Sequence, residues 1–162
     1  MRNSITGAWI YAMVMIFMVI LIGYVSVTIN YANTFEMSAD VLKMIEQGEG
    51  FNKPVREKIA RYLEGNHHTV KNGCRMNTLN EDCATGVNGT SPTLVSTTGG
   101  GQYDYCISRK MIEKDGKKVT YYQLSLFFSF SLPLLDNLWT FNVPGETAGL
   151  AYVTDDWFDG KC

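Results

Sequence analysis

No charged side chain occurs between Arg2 and Glu36, and the stretch from about Ala12 to Ile29 inside that gap is almost wholly apolar. A helix rises about 1.5 Å per residue, so about 20 residues cross a hydrocarbon core of about 30 Å, whereas the apolar core of a secretory signal is usually about 7–15 residues long. We therefore expect a membrane-spanning helix in residues 1–30, kept as an anchor rather than cleaved as a signal.

Charges are also few on either side of this helix. Arg2 precedes it, and Glu36 and Asp40 follow it. Because positively charged flanks favour the cytoplasmic side, we expect a single-pass protein of the cell membrane with a cytoplasmic N-terminus and an extracellular C-terminal domain. Membrane lipid is thus the first expected partner.

The chain lacks the patterns that most binding and catalytic sites need. Its net charge is −2 and it has no basic stripe to neutralise phosphates, so we expect no nucleic-acid partner. It has no G-x-S-x-G elbow, and its two histidines, His67 and His68, are adjacent and point apart on an extended segment. We expect no catalytic residue, no metal, no cofactor and no small-molecule substrate.

The acidic end of the chain is the one alternative to that expectation. Asp155, Asp156 and Asp159 lie together, and such a group can form a cation site or a pair of carboxylates for acid–base chemistry. We interpret it as a solvated acidic tail tethered by Cys162.

No zinc-type spacing is present among the cysteines, and all four follow the membrane segment: Cys74, Cys83, Cys106 and Cys162. Cysteines in an oxidising compartment form disulfides, so we expect two bridges, for which three pairings exist. The pairing we favour joins Cys74 to Cys83 across a short polar loop and Cys106 to Cys162 at the C-terminus.

No turn signal interrupts the chain between Ile29 and Gly48, so the first helix is predicted to run from Gly7 to Gln47, about 60 Å. Beyond the membrane, apolar residues recur at helical spacing and form a predicted packing stripe: Tyr31, Phe35, Leu42 and Ile45. This stripe either packs on the protein's own head or also meets neighbouring subunits. A second helix is predicted from Pro54 to Glu64, and the two helices make up residues 31–65.

Residues 66–102 are rich in Asn, Thr, Ser and Gly and have no sustained apolar period, which predicts a long variable polar loop. A short strand is expected around Thr93 to Ser96.

Strict alternation of apolar and polar residues follows in residues 103–162, from Tyr122 to Leu132. Asp115 and Gly116 predict a two-residue turn that pairs Lys114 with Lys117 and Ile107 with Leu124. Further short strands are predicted at Leu138–Val143 and Leu150–Thr154. The predicted fold is therefore of the α+β class, with a long N-terminal helix packed on a small antiparallel sheet.

This layout resembles that of type IV pilin-like proteins, and the chain is similar to the TadE-like minor pilins of tight-adherence systems. The likeness lies in Gly7 and Ala8, the apolar run, the exit at residues 31–33 and the closing pattern LFFSFSLPLLDNLWTFNVPGETAGLA. It implies processing between Gly7 and Ala8. Family members usually carry a Glu shortly after that site, whereas this chain continues with Trp9 to Ala12. A subunit that acts unprocessed at the membrane platform is therefore the alternative.

The resemblance implies a structural or assembly subunit of a surface filament or its secretion platform, with other pilin-like subunits or platform proteins as partners. A membrane-tethered binding module is the second hypothesis, with its contact surface on the polar loop and a rim around Tyr103 and Tyr105. An anchored enzyme is the third.

Overall fold

The computed structural model describes residues 2–74, 82–95, 101–114, 116–132 and 135–158. Over these ranges the element order is α1 (Arg2–Gln47), α2 (Lys53–Gly65), β1 (Asp82–Asn88), β2 (Ser91–Leu94), β3 (Tyr105–Lys114), β4 (Lys117–Leu132) and β5 (Leu135–Glu146). The predicted α+β fold, a long N-terminal helix packed on a small antiparallel sheet, is confirmed.

Helix α1 is continuous over 46 residues and ends at Gln47, as the glycines that follow predict. The N–H groups of Gly48 and Gly50 donate to the carbonyl oxygens of Met44 and Ile45, both at 3.0 Å, and so close the helix end. A Cβ on Gly48 would lie 2.1 Å from the Val55 side chain, so the absence of a side chain lets α2 pack against the end of α1.

Helix α2 starts one residue before the predicted Pro54 and ends one after the predicted Glu64. The Asn52 side chain caps it by accepting a hydrogen bond from the Val55 N–H at 3.1 Å, and Pro54 occupies the first turn, where its missing N–H costs nothing. Its apolar side chains Val55, Ile59 and Leu63 are buried.

The sheet has the order β2-β1-β3-β4-β5, with all neighbours antiparallel. The β3–β4 register is the predicted one: Lys114 lies opposite Lys117 and Ile107 opposite Leu124. Gly116 adopts φ +72°, the left-handed conformation that this turn requires.

The hydrophobic core lies where the second half of α1, together with α2, meets one face of the sheet. Its fully buried side chains come from both helices, from the connection between them, from three strands and from the end of the chain: Val41, Ile45, Phe51, Ile59, Val87, Tyr105, Tyr122, Leu124, Leu126 and Phe158. Alternate residues of β4 supply this face, as the period-two pattern predicts.

Two predictions about extended structure were wrong. The region predicted as a polar loop, residues 66–102, contains the unpredicted strand β1. The short strand expected there at Thr93–Ser96 is present as β2, displaced to Ser91–Leu94. β1 escapes sequence reading because Asp82–Asn88 has no alternation, while its neighbour β3 supplies the pairing. Conversely, the strand predicted at Leu150–Thr154 is only a single bridge between Thr120 and Leu150.

The predicted disulfide pairing was also wrong. Cys74 is bonded to Cys106, with a Cα–Cα distance of 5.7 Å. Asn72 and Tyr103 exchange backbone hydrogen bonds of 3.1 and 2.9 Å, which brings Cys74 beside β3. Cys83 belongs to β1 instead of a short loop, although its side chain, like Asp159 and Cys162, lies outside the described residues.

Candidate functional site: the exposed half of the long helix

The first half of α1 carries a surface that is apolar all round. Its large side chains are 42–70% exposed from Trp9 to Val25, including Phe17 at 60% and Ile22 at 65%. An apolar surface of this extent marks a site of contact with lipid or protein. This helix is long and apolar enough to cross a membrane. Gly7 and Ala8, the predicted processing site, lie at its exposed start.

The predicted packing stripe divides into two parts. Ile45 is fully buried and Leu42 is half-buried against the core, whereas Tyr31 and Phe35 are 49% and 55% exposed. The face that is actually covered carries residues spaced three and four apart: Thr34, Ser38, Val41 and Ile45. Sequence reading missed it because Thr34 and Ser38 are polar.

Small side chains on that face allow the sheet to approach closely. A Cβ on Gly145 of β5 would lie 2.6 Å from Leu42 and 3.0 Å from the Ser38 hydroxyl. Glycine is therefore needed at this position of the strand, and it fixes β5 directly against α1.

An aromatic group continues the exposed helix surface onto the sheet. The Tyr31 ring centroid lies 6.4 Å from that of Phe35 and 6.0 Å from that of Phe128, and Phe128 stacks on Phe141 at 5.3 Å. Phe128 is buried, while the other three rings are 44–55% exposed. We call these four residues the aromatic patch. Such a patch has the composition of a protein–protein interface.

The acidic tail is built into the fold, so its interpretation as a solvated segment was wrong. The Asp155 side chain has no exposed surface and accepts hydrogen bonds from Arg109 (3.0 Å), the Tyr122 hydroxyl (2.6 Å) and the Phe51 N–H (2.7 Å). Burial, together with the hydrogen bond to Asp155, raises the pKa of Tyr122. These partners come from distant elements, so no local pattern indicates them.

The residues that follow complete this attachment. Asp156 forms a two-point ion pair with Arg56 of α2, and the hydrogen bond from Arg56 lowers the pKa of Asp156. The Trp157 indole N–H donates to the Thr85 hydroxyl at 3.1 Å, and Phe158 is fully buried. The tail thus ties β1, β3, β4 and α2 together.

The remaining sequence-predicted residues do not converge on a chemical site. Tyr105, part of the predicted contact rim, is fully buried, and the Tyr103 ring covers Gly86. His67 and His68 lie beyond the end of α2, and within the described residues no three His, Cys, Asp or Glu side chains form a metal-binding group. Within the part of the chain that the structure describes, the exposed first half of α1 and the aromatic patch are the two surfaces with the composition of a binding site.

Comparisons of the chain with family models, with curated proteins and with solved structures give no match.

Proposed function

We propose that this chain is a membrane-anchored, pilin-like structural or assembly subunit of a surface filament or of its secretion platform. The observation that carries the proposal is the division of one unbroken helix. The half up to Ile29 is mostly exposed and apolar, and the half up to Gln47 packs one face, which carries Thr34, Ser38, Val41 and Ile45, against the sheet. A water-soluble protein would have to hide the first half.

In this role α1 spans the membrane, with Arg2 on the cytoplasmic side and the sheet domain outside. Glu36 and Asp40 then lie on the outer side, in accord with the charge bias across the helix. The Cys74–Cys106 bond supports the same orientation, because disulfides persist in oxidising compartments.

Assembly has two contacts in this proposal. The exposed first half of α1 packs against lipid and against the same helix of neighbouring subunits. The aromatic patch, just beyond the apolar segment, docks against the head of another subunit. In this arrangement Tyr31 and Phe35 of the predicted packing stripe also meet neighbouring subunits, which is the second role predicted for that stripe.

The contacts of the acidic side chains support a non-enzymatic role. The carboxylates that were candidates for acid–base chemistry, Asp155 and Asp156, are engaged with Arg109 and Arg56. Their positions attach the tail to the domain, so we assign them to stability.

Processing decides between the filament and the platform. Cleavage between Gly7 and Ala8 would give a mature N-terminus at Ala8, and an unprocessed platform subunit would keep the residues before it. N-terminal sequencing of the native membrane-bound protein distinguishes the two.

The assembly proposal is tested by placing a photoreactive phenylalanine analogue at position 35 of the full chain in its native cells. We expect crosslinks to pilin-like subunits or platform proteins, and the chain itself in sheared filaments or in a purified membrane platform. Met111 is 48% exposed on β3 and serves as the matched control position, where no such crosslink is expected.

Crosslinks at neither position, together with a monomer in gentle detergent, would refute a subunit role. The same chain would then be a tethered binding module.

A further inference from the structure

The β4–β5 hairpin continues past Phe128, the β4 residue whose ring meets Tyr31 of α1. Its outer residues, 130–132 of β4 and 135–139 of β5, form what we call the hairpin end. Phe130 pairs with Trp139 there, and Leu132 pairs with Leu135.

The direction of β4 relative to α1 follows from two contacts. Leu124 lies opposite Gly145, which is packed on Leu42 of the helix. Four residues later, the Phe128 ring meets Tyr31 at 6.0 Å. Strand β4 therefore runs toward the N-terminus of α1, that is, toward the apolar half of the helix.

The hairpin end can be placed in depth from these contacts. The four residues from Phe128 to Leu132 span about 13 Å at about 3.3 Å per strand residue, which equals about nine residues of helix. Counted from Tyr31, this brings Leu132 level with about Ile22. The apolar stretch of α1 ends at Ile29, so the hairpin end reaches about 10 Å into the level of the membrane segment.

Burial along α1 supports this placement. Gly23 is buried and Ser26 and Val27 are half-buried, although Tyr24 between them is 70% exposed. Gly7, on the same helix, is exposed, so burial of Gly23 is not a general property of a helical glycine. The covered face of the helix therefore continues below Asn30, on the side of the sheet.

The composition of the hairpin end fits an apolar environment. Five residues of the hairpin end are large and apolar: Phe130, Leu132, Leu135, Leu138 and Trp139. Asp136 is the one charge in the hairpin end, and a carboxylate is most costly at the bilayer centre. Among the described strands none pairs with the outer edge of β5, and unpaired backbone groups need water. Both facts favour the headgroup boundary over the hydrocarbon centre.

We propose that the hairpin end inserts into the outer leaflet of the membrane that α1 spans, at the boundary between headgroups and acyl chains. The protein thus has two membrane contacts, a spanning helix and a shallow hairpin. This inference rests on the proposed membrane anchor, and the partner it assigns to the hairpin is lipid rather than a second protein.

The three tryptophans of the chain allow a direct test. Full-length W9F, W139F and W9F/W139F proteins are placed in vesicles of phosphatidylethanolamine and phosphatidylglycerol with nitroxide-labelled phosphatidylcholine. Trp157 remains in all three, so its contacts in the head are undisturbed. Comparison of W9F with W9F/W139F isolates the fluorescence of Trp139, and comparison of W139F with W9F/W139F isolates that of Trp9.

We expect the Trp139 signal to be lost with a nitroxide near the headgroup and to be retained more with one near the end of the acyl chain. Trp157 should remain bright with both lipids. Quenching of Trp9 without quenching of Trp139 would overturn the hairpin proposal and leave the anchor standing. Quenching of neither would overturn the membrane anchor itself.

A second measurement avoids the tryptophan altogether. Leu135→Lys places a charge in the hairpin end, and Met111→Lys serves as the control at an exposed strand position far from it. With insertion, hydrogen exchange of the β5 backbone amides near residue 135 should rise in vesicles for Leu135→Lys and stay unchanged for Met111→Lys. Equal exchange in wild type and Leu135→Lys would contradict insertion.

Discussion

Asp155, seven residues from the end of the chain, has a fully enclosed side chain that receives a hydrogen bond from the Arg109 guanidinium at 3.0 Å. The same carboxylate accepts hydrogen bonds from Tyr122 and Phe51. A buried ion pair contributes little net stability by itself, but the removal of one of its members is strongly destabilising. Asp155 therefore fixes the tail to the sheet.

We expect Asp155→Asn to lower the free energy of unfolding of the head by about 3–5 kcal/mol, because it removes one member of a buried ion pair and weakens the hydrogen bonds that the same carboxylate accepts from Tyr122 and Phe51. Thermal unfolding of the full chain in detergent, followed by circular dichroism, measures the loss. Asp156→Asn is the matched control, since the Asp156 side chain is 44% exposed and its loss should cost less. A greater loss for Asp156→Asn than for Asp155→Asn would contradict this assignment.

Substitutions along α1 should separate its buried face from its exposed face. Ile45→Asp puts an unpaired charge into the core and should destabilise the head by about 3–5 kcal/mol. Phe35→Asp should change stability by less than about 0.5 kcal/mol, because Phe35 is 55% exposed. Chemical unfolding of both full-length variants in detergent makes the comparison, and equal losses would show that the helix faces are assigned incorrectly.

The Cys74–Cys106 bond closes a loop with a sequence separation of 32. Replacement of both cysteines by serine should cost about 3–4 kcal/mol, from the chain entropy that the bond removes from the unfolded state. Thermal unfolding of the variant with and without reductant measures the effect. A variant as stable as the oxidised wild type would mean that the bond constrains nothing.

The pairing itself is checked by mass spectrometry. Trypsin combined with a protease that cleaves before Asp gives one peptide of residues 72–75 and another of residues 104–109, with Cys83 on a third. The first two should be found linked, and a link from Cys74 to the peptide that contains Cys83 would restore the pairing predicted from sequence.

Acid should weaken the head through His68. Burial lowers the pKa of His68, although Asp104 partly opposes this effect, and its Nε2 has no hydrogen-bond partner among the described residues. The unfolded state therefore binds more protons just below the ordinary histidine pKa of about 6.5, so the free energy of unfolding falls as the pH drops through this value.

Unfolding experiments between neutral and mildly acidic pH test this slope. His68→Asn should flatten it, whereas His67→Asn should not, because His67 is exposed. If the slope disappeared in His67→Asn instead, the assignment of this pH dependence to His68 would be wrong.

The elements that sequence predicts well are those with local causes. The end of α1, the start of α2 and the β3–β4 register were predicted from Gly48, Pro54 and the turn at Gly116. Each is fixed by residues within a few positions of the feature, and each was found within one residue.

The features that sequence did not predict depend on contacts between distant parts of the chain. β1 forms because β3 lies beside it, and Cys74 reaches Cys106 through the bridge of Asn72 to Tyr103. The partners of Asp155 lie 46 and 33 residues away for Arg109 and Tyr122. A pattern in one segment holds no information on such pairs.

The candidate binding surface, which consists of the apolar first half of α1 and the aromatic patch, was predicted in part. The apolar first half of α1 is evident from composition alone, because no charge interrupts it. The aromatic patch joins Tyr31 to Phe128, which are close only after the sheet has folded onto the helix. Its existence therefore needed the tertiary structure.

Helix α1 continues without a hinge from the apolar segment to Gln47, and Gly145 holds β5 directly against it. The head consequently cannot turn independently of the rod that carries it. In the proposed membrane orientation, a change in bilayer thickness that tilts this helix would swing the whole head through the same angle, so lipid composition would set the orientation in which neighbouring heads of the proposed assembly meet.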